Sequence, residues 1–195
     1  MNWLETTAVA FGIVSVFLSV RQNIWSWPTA IVNVLLYVLV FRDAKLYADM
    51  GLQVVYLALS VYGWYEWLYG GEHRTHLKVS RLTARTGIVL AGIAVACVAL
   101  LGTVLYRSTD EALPYVDSAT TSTSLVAQWM MTRKVMENWM VWMAVDVVYV
   151  GMFVFKHLYL TAGLYAVFFV LAAMGHREWK RSWEHDRAAL AVAPA

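Results

Sequence analysis

Three short runs in this chain of 195 residues set polar and aromatic side chains at steps of three or four, the spacing that stacks them on one side of an α-helix. Asp49, Gln53, Tyr56, Ser60 and Trp64 make one such face, Asp117, Thr121, Ser124 and Gln128 a second, and Asn138, Trp142, Asp146 and Tyr149 a third. Together they would enclose a wet cavity. Amides pair with amides, and tryptophan faces attract cations. A cavity lined by amides, one carboxylate and indole rings suits a flat aromatic ligand bearing a carboxamide and a positive charge. A metal site is not expected: His73, His76, His157, His176 and His185 sit in links or near segment ends, and no two are spaced as ligands within one apolar run.

The elements that must position these faces are apolar. Hydrophobic residues make up 61% of the chain and charged residues 14%, with a mean hydropathy of +0.56, whereas soluble domains run at roughly half apolar and a quarter charged. Seven apolar segments, centred near Val14, Leu35, Leu59, Val95, Leu125, Val147 and Phe168, approach the length of about 20 residues that crosses a bilayer. Hydrocarbon offers no water to open backbone groups, and the period is not that of a barrel, so the spans are helices. The expectation is an all-α integral membrane protein with seven transmembrane helices in one domain over 1–195. The first apolar run lacks a basic region before it and a cleavage pattern after it, so it reads as a mature helix. Cys97, the single cysteine, reads as a small buried hydrophobe.

Ionisable and large polar groups at membrane depth cost a few kcal/mol and mark function by default. That argument assigns Gln53, Asn138 and Asp146 to a ligand site. For Asn33, Ser60, Thr121, Ser124 and Gln128 the competing role is interhelical hydrogen bonding, worth about 1 kcal/mol or less each, and for the Ser and Thr residues it is the expected one. Asp49 lies nearer a span end, where an interfacial acid is the simpler reading.

With seven spans, eleven basic residues fall on one side, among them Arg21, Arg74, Lys78, Arg133, Lys134 and Arg177, against Arg42, Lys45, Arg107 and Lys156 on the other. The positive-inside rule then puts the C-terminus in the cytoplasm and the N-terminus outside. Topology accounts for the net charge of +2. The basic stretch from His73 to Arg85 has no interleaved aromatics and reads as a solvated loop, with no nucleic-acid partner. Glu137, beside Arg133 and Lys134, is either a gate of ion pairs at the cytoplasmic mouth or a helix-end charge cluster. Trp25, Trp27, Trp64, Tyr65, Trp67, Tyr69, Tyr106, Tyr115, Trp179 and Trp183 cluster at span ends, and most are expected to anchor in the headgroup layer. No phosphate-binding loop occurs, so the chain does not itself hydrolyse ATP by the common route.

The sequence also repeats. Leu46-Tyr47, Gly51-Leu52, Val55, Tyr56, Leu59, Gly63 and Glu66-Trp67 recur 112 positions later as Leu158-Tyr159, Gly163-Leu164, Val167, Phe168, Leu171, Gly175 and Glu178-Trp179. One helix earlier the match continues with a small shift, Ile31 to Val34 against Ala144 to Val147. The implied plan is 3+1+3: repeat one over about 3–69, a linker helix over about 86–105, repeat two over about 117–179, and a tail over 180–195. The odd helix makes the two triplets run the same way through the membrane, a parallel-repeat architecture in which two bundles rock around a site between them.

Asn33, Leu46-Tyr47-Ala48, Gln53, Tyr62-Gly63-Trp64-Tyr65 with Trp67, Asp117-Ser118, and Met131-Thr132-Arg133-Lys134 leading to Glu137-Asn138-Trp139 and Trp142 closely resemble the PnuC family of nicotinamide riboside transporters. The likeness runs from the first helix to Trp179. It implies a fold like that of the SWEET sugar carriers, a homotrimer in the bacterial inner membrane, and facilitated diffusion of nicotinamide riboside for NAD synthesis. It also implies no cofactor and a cytoplasmic kinase that traps the vitamin by phosphorylation. Carried over by motif, Asn33, Gln53, Trp64, Asn138 and Trp142 would lie near the ligand. Asp146 departs from the amide expected there, and an acid favours a cationic vitamin, nicotinamide riboside or thiamine, over neutral riboflavin. Alternatives left open are transport of thiamine or another B vitamin, proton coupling through Asp146 or Glu137, and a channel or scaffold.

Overall fold

The computed structural model describes residues 3–43, 45, 47–108, 113–155 and 157–192; Leu46 of the repeat and Lys156 of the charge count lie outside them. The described residues form α1 (Trp3–Val20), α2 (Ser26–Asp43), α3 (Tyr47–Tyr69), α4 (Ala84–Ser108), α5 (Pro114–Thr132), α6 (Asn138–Phe155) and α7 (Tyr159–Val192), with a single 3-10 turn at Glu72–Arg74. Pro114 opens α5, where its missing N–H costs nothing.

Two pairs of tight links pass through left-handed, non-glycine residues. Gln22 (φ 53°) and Lys134 (φ 51°) turn α1 into α2 and α5 into α6, and Lys45 (φ 59°) and His157 (φ 58°) turn α2 into α3 and α6 into α7. That conformation costs an L-residue on the order of 1 kcal/mol. The members of each pair stand 112 positions apart, as do the starts of α2 and α6. At that offset Asn33 falls on Val145 and Val34 on Asp146, one residue away from the sequence match of Ile31 to Val34 with Ala144 to Val147.

Each helix of a ring packs on the next: α1 on α2, α2 on α3, α3 on α5, α5 on α6, α6 on α7, and α7 back on α1. α4 stands outside the ring against α5. Its sequence is apolar on every side, and Ile88, Val95 and Leu100 are exposed, as a helix facing hydrocarbon should be. By length and composition α1, α4, α6 and α7 qualify as membrane spans. α2, α3 and α5 are more polar: Asn33, Gln53, Ser60 and Gln128 line the ring interior, whereas most of the Ser and Thr residues of α5 do not, and Ser122 faces α4. At 1.5 Å per residue the 34 residues of α7 extend about 51 Å, well beyond the hydrocarbon thickness of about 30 Å. Its charged residues, from Arg177 on, are confined to the second half of the helix.

The core departs from the expectation of interfacial anchors. Trp27, Trp67 and Trp179 are buried, with Trp139, against Val20, Met131, Met136 and Ala172. Trp27 meets Trp67 edge-on at 5.3 Å and 90°, Trp139 meets Trp179 at 5.4 Å and 86°, and Trp67 and Trp179 join the two pairs at 5.8 Å. Gly63 and Gly175 make this possible, since a Cβ on either would run into the ring of Trp27 or Trp139. Trp25, Tyr65, Tyr69, Tyr106 and Tyr115 are exposed, where anchors belong.

Candidate functional site: a cavity inside the helix ring

The ring encloses a cavity of about 410 Å³ to which all six of its helices contribute, a volume in the range of small-molecule sites. Trp27 and Trp139, on the first turns of α2 and α6, lie at one end, and Tyr37, Phe41, Tyr165 and Phe168 lie toward the other. Tyr165 continues into an aromatic stack with Tyr149 (4.6 Å) and Phe153 (5.3 Å).

Of the residues singled out by type and spacing, Asn33, Gln53, Tyr56, Ser60, Gln128, Trp142 and Asp146 line the cavity. Asn33 also donates from Nδ2 to Ala8 O at 2.7 Å, bracing α2 on α1, and Gly12 makes room for it, since a Cβ there would sit 3.0 Å from that nitrogen. Its carbonyl oxygen is the group left for a ligand. Tyr149 stands one ring behind the wall, its ring tilted 32° against that of Tyr165.

Trp64 and Asn138 are not part of the lining. Trp64 is 39% exposed on the outside of α3. At 100° per residue it lies about 80° round from Tyr56, whereas Gly63 and Trp67 lie within about 20° of it and turn inward instead. Asn138, the first residue of α6, is fully buried below the cavity, with Nδ2 bonded to Val135 O at 2.6 Å in the α5–α6 turn. Along α5, Ser124 bonds back to Thr120 O at 2.7 Å, and Asp117 and Thr121 are half-buried away from the lining. Asp49 is exposed near the start of α3.

Spacing missed Trp27 and Trp139. Both indole Nε1 atoms are buried without a hydrogen-bond partner, as are Ser26 Oγ and Asn138 Oδ1. A buried donor without an acceptor costs about 1–3 kcal/mol; both nitrogens are shielded from the cavity, so a ligand there would meet carbon atoms of the two indoles rather than their N–H groups. The available signal was the repeat itself, because Trp27 and Trp139 share the 112-position offset and each faces a repeated glycine.

The charge arrangement is one-sided. Asp146, 4% exposed, is the single ionisable acid of the lining, and no Lys or Arg lines the cavity among the described residues. The basic residues gather below the tryptophans. Arg133 pairs with Glu66 (2.9 Å) and donates to Tyr62 Oη (3.0 Å). Glu137 takes Arg81 (3.0 Å) on one oxygen and the backbone N–H of Leu82 (2.8 Å) on the other. Lys134 donates to Leu77 O at 3.0 Å and lies 4.6 Å from the centre of the Trp67 ring. Burial pushes the Lys134 ammonium down to about 8, opposed in part by Asp186. Glu137, Arg133 and Lys134 therefore do not pair among themselves; they tie the α5–α6 turn to α3 and to the segment between α3 and α4. Two backbone bonds, Ser80 N to Lys134 O (3.0 Å) and Met136 N to Ser80 O (2.9 Å), complete that strap.

Known proteins resemble this chain over most of its length. It is 26% identical to the nicotinamide riboside transporter PnuC of Escherichia coli (strain K12), across 93% of this chain and 87% of that one. It is 29% identical to the riboflavin/roseoflavin transporter RibM of Streptomyces davaonensis, across 99% and 92%. The crystal structure of the vitamin B3 transporter PnuC superposes with a TM-score of 0.74 over 94% of this chain and 83% of that one at 24% identity, a likeness of fold. A family model described as nicotinamide mononucleotide transporter matches residues 2–181. The chain is a multi-pass membrane protein and belongs to that family, whose members are transporters rather than enzymes.

Proposed function

We propose that this chain carries nicotinamide riboside across the bacterial inner membrane by facilitated diffusion, supplying NAD synthesis. The observation that carries the reading is a lining with one buried carboxylate, three amides and three indoles but, among the described residues, no Lys or Arg. The family's description names the mononucleotide, and two relatives' names give riboside and riboflavin. A phosphate at this site would meet Asp146 without a Lys or Arg of the described lining to balance it, at a depth where charges interact strongly. Riboflavin is neutral and gains no charge pairing from Asp146. The riboside's pyridinium is attracted by the carboxylate and by the tryptophan faces, and its carboxamide matches Gln53, Gln128 and Asn33.

The mechanism rests on α1–α3 and α5–α7 acting as two parallel repeats, about 3–69 and 117–179, with α4 as the linker and all seven helices spanning. The shared 112-position offset of the link residues, the tryptophan pairs and the helix starts supports this plan, as does the closed ring. The excess of basic residues at the tryptophan end supports a cytoplasmic C-terminus and an outside N-terminus. A homotrimer and a kinase that traps the riboside follow from the family resemblance.

The test is titration calorimetry of the purified protein with nicotinamide riboside, nicotinamide mononucleotide, thiamine and riboflavin. The riboside is expected to bind and the mononucleotide not to; preference for the mononucleotide or for riboflavin would overturn the assignment. Uptake that saturates with substrate separates a carrier from a channel.

A further inference from the structure

Two hydrogen bonds cross between the helix triplets in opposite senses. Trp67 of α3 donates from Nε1 to Met131 O of α5 at 3.0 Å, and Trp179 of α7 donates from Nε1 to Ser19 O of α1 at 3.0 Å. Both acceptors lie in the last turn of their helix, where carbonyls lack an i+4 partner. Each also takes one backbone N–H, from Lys134 and Gln22 respectively, the left-handed residues of the following turns. The seams α3–α5 and α7–α1 join the triplets within the ring, and each carries one of these bonds. The two donor rings touch at 5.8 Å and are 2% and 0% exposed.

We propose that Trp67 and Trp179 form a paired latch that keeps the cytoplasmic mouth shut, and that opening to the cytoplasm breaks both indole bonds together. This inference rests on the carrier reading above. Neither indole lines the cavity, so both are positioning residues. They are coupled to the cavity through Trp27 and Trp139, whose rings line it and lean edge-on against the latch. Displacing one latch ring removes the packing surface of the other, so the seams part as a unit. The halves differ in one respect. Lys134 and the strap at Leu77 to Leu82 bear on Trp67, whereas the position 112 residues earlier is the uncharged Gln22. The strap has to lift with Trp67.

The experiment uses Trp67→Phe and Trp179→Phe, singly and together, which keep a ring for edge contacts but lose the N–H. The background is Cys97→Ser with Ala30→Cys, a cavity-lining position one turn beyond Trp27. A membrane-impermeant maleimide is applied to the cytoplasmic face of inside-out vesicles. The latch predicts slow labelling with both indoles present, several-fold faster labelling in either single variant, and little further gain in the double. Unchanged labelling in both singles, or multiplicative gains in the double, overturns it. Should the Phe variants fold poorly, indole-proton exchange of the unmodified protein, followed by NMR, decides the matter. Equal slow rates for the Trp67 and Trp179 N–H are expected, and clearly different rates overturn joint opening. Neither readout needs the vitamin, so failure of the riboside to bind would sink the carrier reading alone.

Discussion

Asp146→Asn tests the charge logic of the cavity most directly. The side chain is 4% exposed, lines the cavity, and has no ion-pair partner among the described residues. A pyridinium held about 5 Å from it at an effective dielectric of about 20 gains about 3 kcal/mol of Coulomb energy. Stripping water from the cation and the carboxylate takes back part of that. A net contribution of about 1.5 to 2.5 kcal/mol corresponds to affinity weakened about 10- to 70-fold in the variant. Asparagine keeps the size and hydrogen-bonding capacity of the side chain, so packing is preserved. The assay is calorimetry against nicotinamide riboside and against its reduced, uncharged form. The cation is expected to lose at least tenfold and the neutral form less than threefold. Equal losses for the two forms would refute the argument, because Asp146 would then act through shape or hydrogen bonding rather than charge.

Three further expectations follow from the packing and the placement of side chains. Gly63→Ala and Gly175→Ala each force a Cβ into a buried indole and should lower stability by about 1–3 kcal/mol, read as a drop in melting temperature, while Gly92→Ala, with nothing within 4 Å, should be tolerated. Gln53→Ala should weaken riboside binding severalfold and Trp64→Ala should leave it within twofold; the reverse order in calorimetry would relocate the site to the outer face of α3. Lys134, held down to about 8 from 10.5 by burial, carries fewer protons folded than unfolded between those values. Stability relative to Lys134→Gln should therefore rise as pH climbs from about 8 to 10.5, and melting curves showing a fall across that window would contradict it.

Much of the plan was legible in residue types and spacing, because a bilayer leaves the backbone few choices and polar residues at depth stand out. Gln53, Tyr56 and Ser60 on α3, Gln128 on α5, and Trp142 and Asp146 on α6 lie together along the cavity wall as helical spacing indicated. Spacing failed where a face was extrapolated to its end. Trp64 drifts off the inward stripe of α3, and Asn138 is spent on the turn that opens α6. Tryptophans near span ends read as anchors because position along the sequence does not show which side of a helix looks inward. Trp27, Trp67 and Trp179 sit on helices and turn inward across the ring, whereas Trp25 is exposed in the α1–α2 link, and the repeated Gly63 and Gly175 were the local hint. The contributions of α1 and α7 to the lining, Ser19 and Tyr165 for example, arise from ring closure, a long-range event with no short-range pattern.

The position of α4 has a dynamic consequence. Because it rests on α5 outside the ring, and no fourth helix among the described residues rests in the same way on α1, the two bodies of the proposed rocking mechanism would be unequal, three helices against four. On that proposal a viscous lipid matrix would resist the larger body more, so in the frame of the membrane the lighter triplet, α1 to α3, would make the greater excursion in each cycle. A spectroscopic label on α2 should therefore sweep a wider arc relative to the bilayer normal than its counterpart on α6, however alike the two helices are in sequence.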